Sequence, residues 1–337
     1  YIMKRRTILS GALLVGLMLF AVKFNAYSLS VTVNGFPTTR ADIASALDDS
    51  YFKEYDRFLS LSSEMFALSF ASTDLIGKAK IKNVEFGVGF QAMATVGDLT
   101  GTTATNTGVS VGSVGYSFGL GFAMAAHFGF SGDFISDSLK NFDFIFRGTY
   151  LPEIALSGNL TVKAYSVGFK PRWNLIEGFD AVVLGWGGLT LGVAFDYTNI
   201  NIKSEIASQS ISVQGLSGTN YVTSLDPYSI SLDGSFFTIS PEITTHITLV
   251  KIISPFASVG AVINMGGITT NATQSGTILG EAGSINLSGE STGKMVIPYA
   301  KAGLEFDVLI AHLTVQGQIA FGTETSYGLG LGMRLAF

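Results

Sequence analysis

Cysteine is absent, which removes disulfides, thiolate metal sites and an acylated N-terminal cysteine together. Charge is scarce as well: Asp, Glu, Lys and Arg make up 13% of the 337 residues, against 47% hydrophobic ones. Basic residues number 20 and acidic ones 25, so no cationic surface for nucleic acid is implied. Long apolar runs are missing beyond the N-terminus, although the mean hydropathy is +0.42. A helical membrane protein needs about 18 consecutive apolar residues for each span. The apolarity must therefore be distributed differently, and every second residue of membrane-crossing strands is the arrangement that fits.

The one apolar run, Ile8 to Val22, follows Lys4, Arg5 and Arg6 and precedes the small-residue site Ala26-Tyr27-Ser28. That order is the pattern of a secretory signal peptide over residues 1–28, with a mature start near Leu29. An anchoring helix is the other reading, but the run is short for a span and no stop-transfer charges follow it. Cleavage removes Lys4, Arg5, Arg6 and Lys23 and no acid, leaving 16 basic against 25 acidic residues, a net charge of −9.

What the chain has in quantity is alternation. At its end Tyr327, Leu329, Leu331, Met333, Leu335 and Phe337 alternate with Gly328, Gly330, Gly332, Arg334 and Ala336, so one face is apolar and the other small or charged. The polar face of a soluble sandwich strand is rarely almost all glycine. This tail resembles the C-terminal strand of bacterial outer-membrane β-barrels, which ends on an aromatic residue read by the insertion machinery. The resemblance implies an all-β, membrane-spanning, antiparallel up-and-down barrel in the outer membrane. It also implies contact with outer-membrane lipid and with the barrel-assembly machinery, with those six apolar residues as the insertion signal.

Counting alternation through the chain predicts about ten strands, with roughly eight to fourteen allowed, over residues 84–337. Val84, Phe86, Val88 and Phe90 face lipid in the first, Phe142, Phe144 and Phe146 in the third, and Leu189, Leu191, Val193 and Phe195 in the fifth. The inward set, and so the candidate lumen lining, comprises Glu85, Gln91, His127, Arg147, Lys170, Arg172, Asp196, Glu242, His246, Lys301, Glu305 and Arg334, with Asp143 and Asp307 beside them. Apart from Met93 and Ile145 it shows no apolar stripe. Pro171, Pro241 and Pro298 fall inside strands and predict bulges or rim positions, because each removes a ladder donor.

With Phe337 in the periplasm, the short links near Leu309 to Ala311 and Val250 to Ser254 are periplasmic. The long connections Asn199 to Gly234 and Gly267 to Lys294 are then outside. Both are rich in Ser, Thr, Asn and Gly, yet Ile200-Asn201-Ile202 and Ile211-Ser212-Val213 keep the alternation, so they read as strand extensions above the membrane, with ordinary solvated loops as the alternative.

Residues 29–83 differ in character. Ile43, Leu47, Tyr51, Tyr55, Phe58 and Leu59 recur at helical spacing, with a capping-box-like Thr39 and Asp42 ahead of them. An amphipathic helix is expected there, packed on the periplasmic rim, inserted as a plug, or free to bind a surface or partner.

No catalytic, cofactor or metal motif stands out. His127, His246 and His312 all point inward and near the periplasmic end, and Glu242 and His246 stand about 13 Å apart along a strand, too far to share an ion without a bend. Gly119-Leu120-Gly121 and Gly328 to Gly332 alternate inside strands and lack phosphate-loop context. Mixed-sign charges in a confined bore are expected to pair.

The leading functional expectation is a narrow porin-like channel for ions or small solutes, gated by the N-terminal segment. A surface-binding or structural barrel that displays the two long loops is the alternative. A weaker resemblance, to the fatty-acid transporter family, rests on an N-terminal plug; the chain is short for that family and lacks its Asn-Pro-Ala motif. The facing assignment further predicts that Leu331→Asp impairs assembly while Arg334→Glu, a lumen change, does not.

Overall fold

The structure, a computed structural model, describes residues 26–33, 36–37, 53–73, 81, 83–95, 120–157, 160–179, 181, 183–206, 209–214, 220–250, 252–278 and 281–337. Two short strands, β1 (Ala26–Val33) and β2 (Phe36–Pro37), precede helix α1 (Lys53–Ala71). Then come β3 (Val84–Thr95), β4 (Leu120–Ser131), β5 (Phe142–Ser157), β6 (Leu160–Ile176) and β7 (Leu184–Ile206). The hairpin β8 (Gln209–Gln214) and β9 (Asn220–Leu225) leads to β10 (Tyr228–Leu249), β11 (Ile253–Ile278) and β12 (Glu281–Ser291). The chain ends with β13 (Val296–Val308), β14 (Ala311–Phe321) and β15 (Thr325–Ala336).

Ten of these close an antiparallel barrel in the order β3, β4, β5, β6, β7, β10, β11, β13, β14, β15, and β15 returns to β3. They are the ten that alternation predicts. At the seam the amide of Phe337 donates to the Val84 carbonyl at 2.9 Å and that of Val84 to the Phe337 carbonyl at 3.4 Å, so the last residue closes the ring.

Strict two-residue periodicity sorts the side chains. On β15, Tyr327, Leu329, Leu331 and Met333 are exposed, while Ser326 and Arg334 are buried. Phe86, Val88 and Phe90 on β3 and Val167 on β6 are likewise exposed, giving an apolar outer belt. Within it Phe337, Phe86, Phe128, Phe130, Phe146 and Phe169 follow one another across β15 to β6 with ring centroids 4.9–6.4 Å apart. Such aromatic girdling suits a membrane boundary. Among the described residues no helix is long and apolar enough to cross a membrane.

The two ends differ. At the turn end β10 reaches β11, and β13 reaches β14, through tight turns in which Val250 (φ 51°) and Leu309 (φ 58°) take up left-handed backbone. At the loop end β7 and β10 stay paired as far as Ile206 and Tyr228, β12 folds back on β11, and β9 touches β11 at Leu225 and Gly276. The long connections thus continue as strands. β1 adds to β12 as a further strand there, with Ser30 opposite Asn286, and it takes in Ala26, Tyr27 and Ser28, the residues read from the sequence as a cleavage site.

The prolines follow expectation only in part. Pro298 sits at the rim, just before the β14 ladder begins at Tyr299, but Pro171 and Pro241 lie inside strands in unbroken register, and Pro241 still stands opposite Val193 while the β11 ladder beside it skips without slipping. A single lost donor is absorbed as one gap. Register shifts fall instead at Leu151/Ile154, which brackets Pro152, and at Ala155/Ser157, Asn174/Ile176 and Thr245/Ile247.

α1 runs inside the barrel, touching β3, β4, β7, β10, β11 and β12. It extends twelve residues beyond Leu59, where the helical spacing in the sequence ends; Ile43, Leu47 and Tyr51 lie outside the described residues. Ser60 to Thr73 are all buried. Ser60, Ser62, Ser63, Glu64 and Ser69 are buried along with the apolar residues, so polarity in this stretch does not mark a solvated face.

Candidate functional site in the barrel lumen

The lumen is built from the inward residues of ten strands and the buried turns of α1. Near the turn end it is ionic. Arg334 on β15 reaches Glu85 on β3 and, at 2.6 Å, Glu305 on β13. Beside it His312 pairs with Asp307, and its Nδ1 lies 3.9 Å from Glu305. Glu305, Asp307 and His312 bring three donor atoms within 4.8 Å of one another, but Glu305 is shared with the Arg334 guanidinium and His312 with Asp307. The group therefore reads as an ion-pair network.

Higher up, Arg147 on β5 grips Asp196 on β7 with two nitrogens and donates a third hydrogen bond, Nη1 to the Ala71 carbonyl at 3.1 Å. That carbonyl belongs to the last turn of α1, where unsatisfied acceptors and the helix dipole favour a cation. Glu242 on β10 is held by Lys170 at 3.0 Å, Lys301 at 2.7 Å and the Tyr299 hydroxyl at 2.9 Å. Gln316 donates to Gln91 at 3.0 Å and to the Ser72 carbonyl at 3.5 Å. Asp143 accepts from the Ile81 amide at 3.2 Å and faces Arg172 across the β5–β6 ladder.

Several inward glycines are seats for these groups. A Cβ on Gly168 would stand 1.9 Å from Asp196 Oδ1, one on Gly87 2.4 Å from the His127 ring, and one on Gly187 1.7 Å from the His246 ring. His246 is thereby fixed on Gly187 while Glu242 is held by the lysines. Gly121 serves the helix, since a Cβ there would lie 2.4 Å from the Met65 backbone.

Nearer the loop end the lumen is apolar. Phe66 and Phe70 of α1 pack with Ala123, Val162, Ala164, Ile200, Ile230, Leu232, Phe236 and Ile268 of the wall. On its other side Met65, Leu68 and Ala71 meet Met93, Val262, Ile297 and Ala320. The sequence reading found no such stripe. Ile200, Ile230, Leu232 and Ile268 sit in segments that it assigned to outer connections and so did not count as wall.

One charged residue lies within this apolar stretch, and it was missed. Glu64 accepts from the Lys294 amide at 2.6 Å, the Thr323 amide at 2.8 Å and the Thr323 hydroxyl at 2.5 Å. It thus ties the helix to the β12–β13 link and to the β14–β15 turn at once. A lone acid among the uncharged residues from Ser60 to Thr73 was the available signal.

The structure also alters what Arg334 means. A glutamate there would stand against Glu85 and Glu305, so the substitution expected from facing alone to be harmless becomes disruptive.

A closed antiparallel barrel with an apolar belt outside and buried charges within is the form of an integral bacterial outer-membrane β-barrel, and the outer membrane is where such a barrel resides. Over residues 23–337 the chain matches the Lsa36-like family, and it belongs to that family. No curated protein matches it in sequence. Among solved structures it is similar to the transport unit of the autotransporter AIDA-I from Escherichia coli, at 10% identity and TM-score 0.35, covering 84% of this chain and 99% of that one. It is also similar to the outer membrane protease OmpT from Escherichia coli, at 7% identity, TM-score 0.40 and coverage of 76% and 97%. A Pseudomonas aeruginosa FadL homologue is similar at 7% identity, TM-score 0.27 and coverage of 83% and 98%. Identities and scores this low carry none of these proteins' activities over.

Proposed function

We propose that this protein is a barrel plugged by its own helix, whose work is done on the outer face by the platform of extended strands. The observation that carries the reading is the fit of α1: Phe66 and Phe70 fill one side of the upper lumen, Met65 and Leu68 the other, and Glu64 fastens the helix at the mouth. The inward charges that lined a channel in the sequence reading are largely held by one another or by the helix end. Above the mouth, β7 to β12 offer long Ser-, Thr- and Asn-rich surfaces, chemistry suited to hydrogen-bonding a macromolecular ligand rather than passing a solute. The apolar face from Tyr327 to Phe337 is, on this reading, what the barrel-assembly machinery recognises.

Planar-bilayer recording of the intact protein, beside adherence of cells displaying it to a mammalian cell monolayer, tests the proposal. The expected result is a silent bilayer, with adherence lost when residues 209–225 and 272–287 are replaced by short turns in a chain that still shows heat-modifiable gel mobility. Steady conductance from the intact protein would favour a channel for ions or small solutes instead. Unchanged adherence after the replacement would remove the platform from the account.

A further inference from the structure

We infer that the barrel carries its own N-terminal segment to the outer face, where β1 is held as an added strand of the β11–β12 hairpin. The inference is one of chain path, and it stands independently of what the platform binds.

The path can be followed through the described residues. Glu64 hydrogen-bonds to the Lys294 and Thr323 amides, both in links at the loop end. Seven and eight residues later, the Ala71 carbonyl meets Arg147 and the Ser72 carbonyl meets Gln316, well down the strands. Ile81 donates to Asp143 and the Asn83 carbonyl accepts from the Ser131 amide, and both partners sit at the turn-end limits of β4 and β5. The chain thus descends the lumen from the loop end to the turn end before β3 turns back up. The described helical residues before Glu64, from Lys53, therefore lie on the loop-end side of it.

The described part of that segment confirms the direction independently. β1 pairs with β12 through eight consecutive positions, from Ala26 opposite Glu290 to Val33 opposite Gly283. β12 is itself the returning arm of a hairpin that leaves the barrel beyond Ile268, opposite Ser291. With the tight turns in the periplasm, β1 therefore lies on the far side of the membrane from where a secreted chain arrives. A closed barrel offers one polar route across, its bore. A helix is about 10–12 Å across with side chains, and α1 meets the wall through Phe66 and Phe70 on one side and Met65 and Leu68 on the other, with the Met65 backbone close against Gly121, so one helix occupies the bore at this level. Seating of α1 then seals the route the segment used.

The natural absence of cysteine makes the inference directly testable. Ser30→Cys with Asn286→Cys places thiols on paired positions that remain after cleavage following Ser28, and Val31→Cys with Ile285→Cys covers the alternative ladder geometry. Paired Cα atoms about 4.5–5.5 Å apart are within disulfide reach. Ser30→Cys with Leu309→Cys, at the turn end, is the control. After mild oxidation of intact cells, at least one β1–β12 pair should cross-link tenfold or more above the control in heat-modifiable protein, as read by mass spectrometry of the linked peptides. The single variant Ser30→Cys should react with a membrane-impermeant maleimide on intact cells. Absence of both cross-links would overturn the docking on β12. Labelling only after the outer membrane is permeabilised would overturn the delivery to the outer face.

Discussion

The lower and upper halves of the lumen solve the same problem, an enclosed bore that must not be left empty, with opposite chemistry. Along β6, β10 and β13 the charged inward residues Lys170 and Arg172, Glu242, and Lys301 and Glu305 lie toward the turn end. The apolar residues Val162, Leu232 and Phe236, and Ile297 lie toward the loop end of those strands. Where no helix is present, strands cross-link one another by ion pairs set on glycine seats. Where the helix is present, the wall becomes an ordinary hydrophobic core. The difference teaches that the barrel wall was shaped around α1: without the helix, the upper wall would expose an apolar lining to water.

The comparison is broken most severely at Arg334. Removing one partner of a buried ion pair costs about 3–5 kcal/mol, and Arg334→Glu replaces the shared cation with a third carboxylate, so the expected loss is at the top of that range or beyond. Arg334→Glu should fail to regain heat-modifiable mobility after refolding into detergent micelles, and should do worse than Leu331→Asp on the lipid face. That ranking reverses the one expected from facing alone. Equal behaviour of the two would mean that the ionic half does not hold the barrel shut.

Phe66→Ala attacks the upper half. Truncating a buried phenylalanine costs about 3–5 kcal/mol, but here the loss falls on helix docking rather than on the ladder. Barrel mobility should therefore persist, while protease cleavage within residues 60–73 and flickering conductance in a planar bilayer should both increase. A resistant, silent Phe66→Ala would show that the aromatic contacts do not retain the helix.

Glu64→Gln sharpens the comparison with the smallest change of shape: both carboxylate oxygens accept from backbone amides, Oε1 from Lys294 and Oε2 from Thr323, so the variant loses the charge and sets its NH2 against one of these donors, on bonds worth about 1.5–3 kcal/mol in their charged form. A modest rise in the same protease sensitivity is expected, below that of Phe66→Ala. If instead it exceeds Phe66→Ala, the mouth latch and not the aromatic packing governs the plug.

The barrel itself was legible from sequence because its signal is periodic: a buried polar face and an exposed apolar one repeat every two residues from Val84 to Phe337. The ionic half of the lumen was legible for the same reason, down to the inward glycines, although which charge meets which depends on strand stagger that periodicity does not encode. The upper half was not legible. Ile200, Ile230 and Leu232 read as parts of extensions above the membrane until the helix that covers them is known, and in residues 60–71 the buried Ser60, Ser62, Ser63, Glu64 and Ser69 blur the contrast between a core face and a solvated one. The placement of β1 depends on a pairing between residues 250 to 264 positions apart, for which no local feature stands.

The seam between Val84 and Phe337 has a consequence for assembly. The ladder that closes the ring joins the first barrel strand to the last, so nearly the whole chain must be synthesised and laid side by side before that contact can form. Folding dominated by such distant contacts is intrinsically slow. Until it is complete the wall remains open along one side, beside the very strand that the N-terminal segment leads into.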